Sequence, residues 1–356
     1  MNDPAHDQTD FLRQTVRDAI AAKTPLKITG GGSKAFFGRE SAGQLLRVNG
    51  HRGIVNYHPS ELVITARAGT LLSTLQEMLA GQGQMMAFEP PRFADSVTLG
   101  GAVASGLSGS RRPFTGSVRD FVLGCKIING RGEVLSFGGE VMKNVAGYDV
   151  SRLMAGAMGT LGLLLEISLK VLPLPEVEST VCFELSPSDA IAKMTALASQ
   201  SLPVSGLSYQ EPVLYVRLSG AKRTVAAAIN KIGGGAANVD DLFWPDLNEQ
   251  RLDFFQGSMN LWRLCVPPAT AELHLDGDWL YDWGGGLRWL KSGESAQRIF
   301  AAAEHAQGHA LLFKGQERSG DVFQPLSGKL QQLNRNIKQT FDPGGIFNPH
   351  RMYPDW

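Results

Sequence analysis

The sequence predicts an α+β fold in two domains with antiparallel sheets. The chain has 356 residues, which is enough for two hydrophobic cores. Short apolar strands alternate with amphipathic helices, and several strand pairs are separated only by turn residues, which indicates hairpins rather than the crossovers of a doubly wound sheet. Prolines and the stretch EVEST change the composition near Pro175. We therefore expect domains at residues 1–175 and 176–335, followed by a C-terminal segment at residues 336–356.

The first domain is predicted to begin with an amphipathic helix whose N-cap is Thr9 or Asp10. The helix leads into the strand LKIT at residues 26–29. Two strands then flank a Pro-Ser turn at residues 59–60, and a helix with Leu71 on its inner face is ended by Gly81. A hairpin joins two apolar runs through residues 129–132, and a buried strand starting near Gly162 completes the domain.

The second domain has weaker periodicity, but helices and strands again alternate in short units. Helical patterns occupy residues 188–200, 222–234 and 294–308, and strand patterns occupy residues 213–220, 261–267 and 309–315. This alternation favours a compact α+β domain built on an antiparallel sheet. A last amphipathic helix begins near Lys329 and is ended by the turn Asp-Pro-Gly-Gly at residues 342–345.

Composition excludes several classes of function. Lys and Arg number 34, as do Asp and Glu, so the chain lacks the basic field that drives nucleic-acid binding. Cys125, Cys182 and Cys265 are too far apart for a disulfide framework, a zinc site or an iron–sulfur cluster. The polar N-terminus lacks the pattern of a signal peptide, and we find no transmembrane segment. We expect a cytoplasmic protein with reduced thiols.

Three consecutive glycines, Gly30, Gly31 and Gly32, directly follow the first strand, and Ser33 and Lys34 come next. Glycine lets the backbone approach a ligand closely, so this loop could hold a pyrophosphate by its N–H groups, with the serine hydroxyl and the lysine ammonium as further donors. The loop does not match G-x-x-x-x-G-K-[ST], and no patterned helix follows it as a Rossmann crossover requires. A flexible glycine turn is the alternative for the loop taken alone.

Three further clusters argue against that alternative. Residues 96–110, SVTLGGAVASGLSGS, have the small residues and hydroxyls needed to pack a backbone against a flat ring and to donate to its heteroatoms. Residues 116–124, GSVRDFVLG, place Arg119 and Asp120 just before a strand. Residues 143–173 carry a Gly-Tyr-Asp step into a helix and a Gly-Thr-Leu-Gly turn into a strand. Four such clusters in one domain indicate a ligand site.

These stretches, in this order, resemble the vanillyl-alcohol-oxidase-type (PCMH-type) FAD-binding family and, along the whole chain, the FAD-binding subunits of three-subunit bacterial glycolate oxidases. The resemblance rests on ITGGGSK, TLGGAVASGLSG, GSVRDFVLG, KNVAGYDVSRLMAGAMGTLG and FDPGGIFNP. It implies an FAD-binding domain of two α+β subdomains at residues 1–175. A smaller α+β cap domain for substrate or subunit contacts follows at residues 176–335, and residues 336–356 return to the FAD domain.

The resemblance also implies which residues bind FAD. The glycine loop would wrap the pyrophosphate, the second cluster would line the diphosphate, ribityl chain and flavin edge, and Leu163 would meet the cofactor through its backbone. Arg119 and Asp120 would lie near the cofactor or form a buried structural ion pair, and Tyr148 would be either a flavin contact or a core tyrosine. The implied FAD-binding residues are Gly30, Gly31, Gly32, Ser33, Lys34, Pro91, Thr98, Gly100, Gly101, Ser105, Gly106, Leu107, Ser108, Arg119, Asp120, Gly162 and Leu163.

Binding of FAD is expected to be non-covalent. Covalent members of this family attach the flavin through a histidine or cysteine after the glycine loop or in the second cluster, and neither stretch contains one here. If the glycines exist so that the backbone can approach FAD, a side chain at Gly31 or Gly101 should occupy cofactor space while the fold survives.

The motif that supplies substrate-binding and metal-binding histidines in single-chain relatives, G-H-x-G-D-G-N-x-H, is incomplete. The corresponding stretch, EHAQGHALLFKG, keeps only His305 and His309, which are either ligands or surface residues, so we expect no metal site. No catalytic residue is assigned. An arginine could clamp a substrate carboxylate and a tryptophan could exclude water, although packing and subunit contact are the alternative. The candidates are Arg263, Trp283, Arg288 and His309, with Trp262 and Trp289 nearby in the sequence.

The reaction implied by the resemblance is oxidation of glycolate to glyoxylate with FAD as the acceptor. The implied partners are a larger flavoprotein subunit with the histidine motif and an iron–sulfur subunit that passes electrons to the respiratory chain and could bring the chain to the inner membrane. Three hypotheses follow: an FAD-binding subunit of such a complex, an independent FAD-dependent dehydrogenase of 2-hydroxy acids such as D-lactate or glycolate, or a structural subunit with a residual flavin site.

Overall fold

The computed structural model describes residues 6–139, 149–234 and 242–355, which form two compact units. The first unit draws on Met1–Ser108, Gly116–Leu174 and Pro325–Trp356, and the second on Gly109–Thr115 and Pro175–Gln324. Two short stretches therefore group differently from the expected domains. Residues 109–115 belong to the second unit. Residues 325–335 belong to the first unit, because they lead into and form part of a helix that packs on the first unit.

In chain order the helices and strands are α1 (Thr9–Ala22), β1 (Leu26–Thr29), β2 (Gln44–Arg47), β3 (Ile54–His58), β4 (Val63–Arg67), α2 (Leu72–Ala80), β5 (Gln84–Met85), α3 (Leu99–Ser105), α4 (Arg112–Thr115), α5 (Val118–Phe121), β6 (Val122–Ile128), β7 (Val134–Gly138), α6 (Val150–Met154), β8 (Leu163–Lys170), β9 (Leu172–Pro173), β10 (Val177–Glu184), α7 (Pro187–Ala198), β11 (Val204–Gln210), β12 (Val213–Gly220), α8 (Lys222–Ile232), α9 (Phe243–Glu249), β13 (Leu261–Cys265), β14 (Asp278–Asp282), β15 (Leu287–Lys291), α10 (Ala296–His305), β16 (His309–Lys314) and α11 (Gly328–Phe341).

The first unit contains a five-stranded antiparallel sheet in the order β3-β4-β8-β6-β7 and a small parallel pair, β1-β2. Helices α1, α2 and α3 contribute to the same core as the central strands. The predicted helices and the β6-β7 hairpin are confirmed, with small shifts at their ends. Helix α1 begins one residue after Gln8, which makes no side-chain cap, and α2 buries Leu72 while Leu71 is its N-cap.

The second unit contains a seven-stranded antiparallel sheet in the order β10-β12-β11-β14-β15-β13-β16. The prediction of an antiparallel sheet is confirmed, but β10, β11, β14 and β15 were not predicted. Strand β10 does alternate, with Val177, Val181 and Phe183 on the face that packs into the core, but its polar residues and its place at the sheet edge weaken the apolar signal. Strand β15 carries Arg288 in a fully buried position, which hides the pattern of a buried strand.

Within the described residues, no helix is long and apolar enough to cross a membrane. Cys125, Cys182 and Cys265 are free thiols. In the part of the chain that the structure describes, no three His, Cys, Asp or Glu side chains lie close enough together to share a metal ion.

Candidate cofactor site

The glycine loop follows the end of β1 and contains a series of backbone N–H groups that have no acceptor in the protein. Among the described residues, no protein acceptor is recorded for the N–H groups of Gly30, Gly31, Gly32 or Ser33. Gly32 has φ +76°, a conformation that residues with a side chain rarely adopt. Consecutive unpaired N–H groups on a partly exposed turn are the arrangement that binds phosphate oxygens. The loop therefore has the donors that a pyrophosphate requires.

The packing of the chain itself requires glycine at position 31. A Cβ at this position would lie 1.5 Å from the backbone oxygen of Ser96, and the Ser96 hydroxyl donates to the Gly31 carbonyl at 2.8 Å. The expectation that a side chain at Gly31 would displace cofactor and leave the fold intact is therefore wrong. Such a side chain would first separate the glycine loop from residues 96–97.

Helix α3 carries the second glycine cluster and is capped by Thr98, whose hydroxyl accepts from the Gly101 N–H at 3.3 Å. Gly100 packs directly on Ala68, since a Cβ there would lie 2.8 Å from the Ala68 Cβ. Gly101 differs, because a Cβ there would meet only the Thr98 hydroxyl, at 3.3 Å. Gly101 is thus the α3 glycine whose side-chain direction faces open space.

A cleft lies between the glycine loop and α3. Its two adjoining parts share Gly30, Thr98 and Gly101 and have empty volumes of about 730 and 440 Å³, including space open to solvent. The predicted residues that the structure brings together here are Gly30, Gly31, Gly32, Ser33, Lys34, Thr98, Gly100, Gly101, Ser105 and Gly162.

The C-terminal segment supplies lining residues that the sequence analysis did not assign. Asn348 donates to the Met158 carbonyl and accepts from the Ile28 N–H, each at 2.7 Å, and Arg351 donates to the Arg39 carbonyl at 2.9 Å and to the Lys34 carbonyl at 3.3 Å. Both residues line the cleft. Asn348 belongs to the motif FDPGGIFNP, on which the family resemblance rests, whereas Arg351 lies two residues after the end of that motif.

Seven predicted residues do not line this cleft in the described structure: Pro91, Gly106, Leu107, Ser108, Arg119, Asp120 and Leu163. The Ser108 hydroxyl accepts from the Val118 N–H, and the Asp120 carboxylate accepts from the N–H and hydroxyl of Ser117 at the start of α5. Arg119 and Asp120 are both exposed, so the alternative of a buried ion pair is wrong. Tyr148 lies outside the described residues. A role for these seven residues in binding FAD stays a prediction.

The residues present fit FAD. Four unpaired N–H groups can donate hydrogen bonds to a diphosphate, and the Lys34 ammonium, which donates to the Arg92 carbonyl at 3.4 Å, adds positive charge beside them. Glycine and alanine on α3 leave a smooth, partly apolar wall, which suits a flat ring system. The described lining residues include no histidine or cysteine to which a flavin could be attached.

In the second unit, two of the four catalytic candidates occupy one place. Two guanidinium groups lie over the Trp283 ring, with the Arg112 Cζ 4.0 Å and the Arg263 Cζ 4.9 Å from its centroid. The indole N–H donates to the Gly109 carbonyl at 2.9 Å, and the Asp282 carboxylate accepts from the backbone N–H of Trp283 at 2.7 Å. A fixed tryptophan that contacts two arginines makes a positively charged group of side chains that could bind a carboxylate.

Arg288 does not belong to that group. It is 0% exposed, and its guanidinium donates to the carbonyl oxygens of Gly285, Ala271 and Thr270. All three sides of the guanidinium are therefore committed to the protein backbone, and the proposal that Arg288 clamps a substrate is wrong for this structure.

The other aromatic and histidine candidates divide between core and surface. Trp262 packs against Phe300, and Trp289 against Phe313, both in buried positions. His305 and His309 are exposed, as expected for surface residues, and His309 lies beside Cys265 on the neighbouring strand.

Comparison with known proteins agrees with this site. The family model described as FAD binding domain matches residues 6–138. The chain is 49% identical over 350 residues to glycolate oxidase subunit GlcE of Escherichia coli (strain K12), a match that covers 98% of each chain. It is 27% identical over 213 residues to glycolate oxidase subunit GlcD of Bacillus subtilis (strain 168), across 58% of this chain and 45% of that protein.

Among solved structures, alkyldihydroxyacetonephosphate synthase matches with a TM-score of 0.68 at 15% identity, over 97% of this chain and 74% of that one, which shows the fold alone. The predicted vanillyl-alcohol-oxidase-type fold and the predicted cofactor, FAD, are confirmed. Since the similarity to the Escherichia coli subunit extends along nearly the whole chain, this protein belongs to the family of the glycolate oxidase subunit GlcE.

Proposed function

We propose that the chain is the FAD-binding subunit of a glycolate oxidase complex that oxidises glycolate to glyoxylate. The observation that carries the proposal is the near full-length similarity to a glycolate oxidase subunit, in a chain whose glycine-loop cleft retains its unpaired donors. Such donors argue against a structural subunit with a decayed flavin site, because consecutive N–H groups on a glycine turn are the arrangement that binds phosphate oxygens.

The chain's own residues would hold and orient the cofactor. N–H groups of residues 30–33 and the Lys34 ammonium bind the diphosphate, while the walls at Gly101 and Gly162 let a flat ring lie close to the backbone. When bound, FAD supplies an acceptor for two electrons and a proton from a 2-hydroxy acid. The protein contributes position, charge and exclusion of water.

For the substrate, the surface formed by Arg112, Trp283 and Arg263 is the proposed carboxylate site, with His309 at its edge. An arginine binds a carboxylate through two parallel hydrogen bonds, and the Trp283 ring holds both guanidinium groups in fixed planes. The histidine-rich motif of single-chain relatives is incomplete here, so we further propose that this subunit shares the reaction with a larger flavoprotein.

Onward electron transfer also calls for a partner. The three cysteines of the chain are isolated from one another in the sequence, and an iron–sulfur cluster needs about four thiolate ligands. We therefore propose an iron–sulfur subunit as the direct electron acceptor, in a complex of this chain with that subunit and the larger flavoprotein.

Non-covalent binding of FAD is tested by acid precipitation. We expect all the yellow colour to pass to the supernatant, because the described residues that line the cleft include neither histidine nor cysteine. The measurement is flavin absorbance in supernatant and pellet after washing. Flavin that stays with the precipitated chain would contradict the prediction. Peptide mapping would then locate the residue to which the flavin is attached.

The shared reaction is tested by mixing the isolated, FAD-loaded chain with glycolate in an anaerobic stopped-flow instrument. We expect the flavin absorbance to fall slowly or not at all with glycolate or D-lactate, and to fall rapidly when the larger flavoprotein and the iron–sulfur subunit are added. Rapid bleaching of the isolated chain by either substrate would favour an independent 2-hydroxy-acid dehydrogenase. In that case Arg263→Gln should raise KM more than it lowers kcat.

A further inference from the structure

Cys265 lies on one face of the seven-stranded sheet together with basic side chains. Successive residues of a strand point to opposite faces, so Arg263 and Cys265 share a face, while Trp262 and Leu264 pack into the core on the other. His309 on β16 is the register partner of Cys265 on β13, so the two side chains lie next to each other on neighbouring strands. A thiol and an imidazole are thus paired directly across two strands.

Trp283 lies near the same group of residues. The guanidinium groups of Arg112 and Arg263 both lie over the Trp283 ring, and the charges of both arginines act on the Cys265 thiol. The charged and titratable groups that act on Cys265 are Arg263 on its own strand, His309 on β16 and Arg112 on α4.

These neighbours change the acidity of the thiol. Burial raises the pKa of Cys265, but the Arg263 charge, the hydrogen bond and charge of His309, and the Arg112 charge together lower the pKa to about 7. Cys265 is partly exposed. The thiolate is the nucleophilic form, and these basic neighbours favour it at Cys265.

The other two cysteines provide an internal contrast. Burial raises the pKa of the Cys125 thiol to about 11, and Cys125 is buried in the core of the first unit. Burial also raises the pKa of Cys182, on β10, although that side chain is partly exposed. The chain therefore contains one partly exposed thiol whose pKa is raised, Cys182, and one that lies beside basic side chains, Cys265.

We propose that Cys265 is a nucleophilic site that reversibly captures a short aldehyde bearing a carboxylate, with Arg263 as the carboxylate partner. The thiolate sulfur forms a bond to the aldehyde carbon, the C=O π pair moves to oxygen, and that oxygen takes the proton that the thiol gave to His309. The product is a hemithioacetal, and no oxidant or reductant takes part. The choice of ligand rests on the proposed function, since glyoxylate is the product of that reaction.

The test follows alkylation of each cysteine by iodoacetamide in the full-length, FAD-loaded chain, by peptide mass spectrometry across pH. We expect Cys265 to react with an apparent pKa near 7 and, at pH 7, at least about fivefold faster than Cys182, after allowing for the lower nucleophilicity of a more acidic thiol. Glyoxylate should slow the reaction of Cys265 and leave that of Cys182 unchanged. Acetaldehyde, which lacks the carboxylate, and acetate, which lacks the aldehyde, should protect weakly or not at all.

Variants identify the partners. Arg263→Gln should move the apparent pKa of Cys265 upward and remove protection by glyoxylate, while Arg298→Gln, an arginine on α10 paired with Glu294, should change neither. If Arg263→Gln does not fold, His309→Gln should still raise the apparent pKa. Equal alkylation rates at Cys265 and Cys182 would contradict the proposal that Cys265 is a reactive thiol. Fast alkylation of Cys265 that glyoxylate does not slow would contradict the proposal that Cys265 captures the aldehyde. Dye reduction by the whole complex with glycolate reports the proposed function separately.

Discussion

Replacing Gly101 with valine is expected to abolish retention of FAD while the apoprotein keeps its fold. The position is on helix α3, it lines both parts of the cleft, and a Cβ there meets only the Thr98 hydroxyl, at 3.3 Å. Valine branches would therefore project into the space that the cofactor needs. Forcing extra methyl groups into a filled site costs about 1–3 kcal/mol, so affinity for FAD should fall about tenfold or more.

The fold itself should tolerate the Gly101 change. A helical glycine is less favourable than most other residues, so valine costs the helix nothing in backbone preference and could stabilise it slightly. We would measure flavin per chain after gel filtration, the Kd for FAD by fluorescence, and thermal unfolding of the apoprotein. Gly328→Val is the matched control, because Gly328 is also helical and a Cβ there meets no atom within 4 Å. Normal flavin content in Gly101→Val would contradict the placement of the cofactor beside α3.

The glycine clusters made the cofactor site predictable. Each cluster lies at the end of a strand or the start of a helix, where the backbone can approach a ligand only if the residue has no side chain. The loop at residues 30–34 and helix α3 meet at one cleft, as the resemblance implied. Local pattern could not separate the roles of individual glycines. Gly31 and Gly101 are alike in sequence context, yet Gly31 is closed by Ser96 while Gly101 faces the cleft, and only the three-dimensional packing distinguishes them.

Long-range contacts explain why most of the additional site residues could not be predicted from the sequence. Asn348 contacts Ile28 across 320 residues of chain, and Arg351 contacts Lys34 across 317, so no window of sequence contains both partners. Arg288 shows the opposite error. An arginine beside tryptophans suggested a substrate clamp, but this buried guanidinium donates to the carbonyl oxygens of Thr270 and Ala271, which precede β14, and of Gly285, which follows it. Local sequence does not show that these two segments meet around one side chain.

The C-terminal segment reaches the cleft through a buried ion pair. The Lys338 ammonium donates to the Asp342 carboxylate at 2.7 Å, to the Thr160 carbonyl at 2.7 Å and to the Phe347 carbonyl at 3.0 Å. The Asp342 carboxylate also accepts from the N–H groups of Ile346 and Phe347. Burial lowers the pKa of Lys338, and the charge and hydrogen bond of Asp342 oppose that effect.

This ion pair positions the strand that carries the glycine loop. The Ile346 carbonyl accepts from the Leu26 N–H at 2.7 Å, and the Asn348 N–H donates to the Leu26 carbonyl at 2.9 Å, so residues 346–348 run alongside β1. Asn348 then fixes Ile28, two residues before the loop begins. A change at Lys338 should therefore reach the cofactor site although the side chain does not line the cleft.

Replacing Lys338 with methionine is accordingly expected to destabilise the first unit by about 3–5 kcal/mol, because the Asp342 carboxylate would remain buried without its cation. Affinity for FAD should fall as well, since residues 346–348 would lose their anchor. Thermal unfolding of the apoprotein and titration with FAD measure the two effects, and Lys329→Met, at an exposed lysine of the same helix, is the control. The double variant Lys338→Met/Asp342→Asn should recover much of the lost stability, because the amide leaves no buried charge and its single oxygen can still accept from one of the N–H groups of residues 346 and 347. A single variant as stable as its exposed-lysine control, or a double variant no better than the single one, would show that the ion pair is not what holds the C-terminal segment against the cofactor loop.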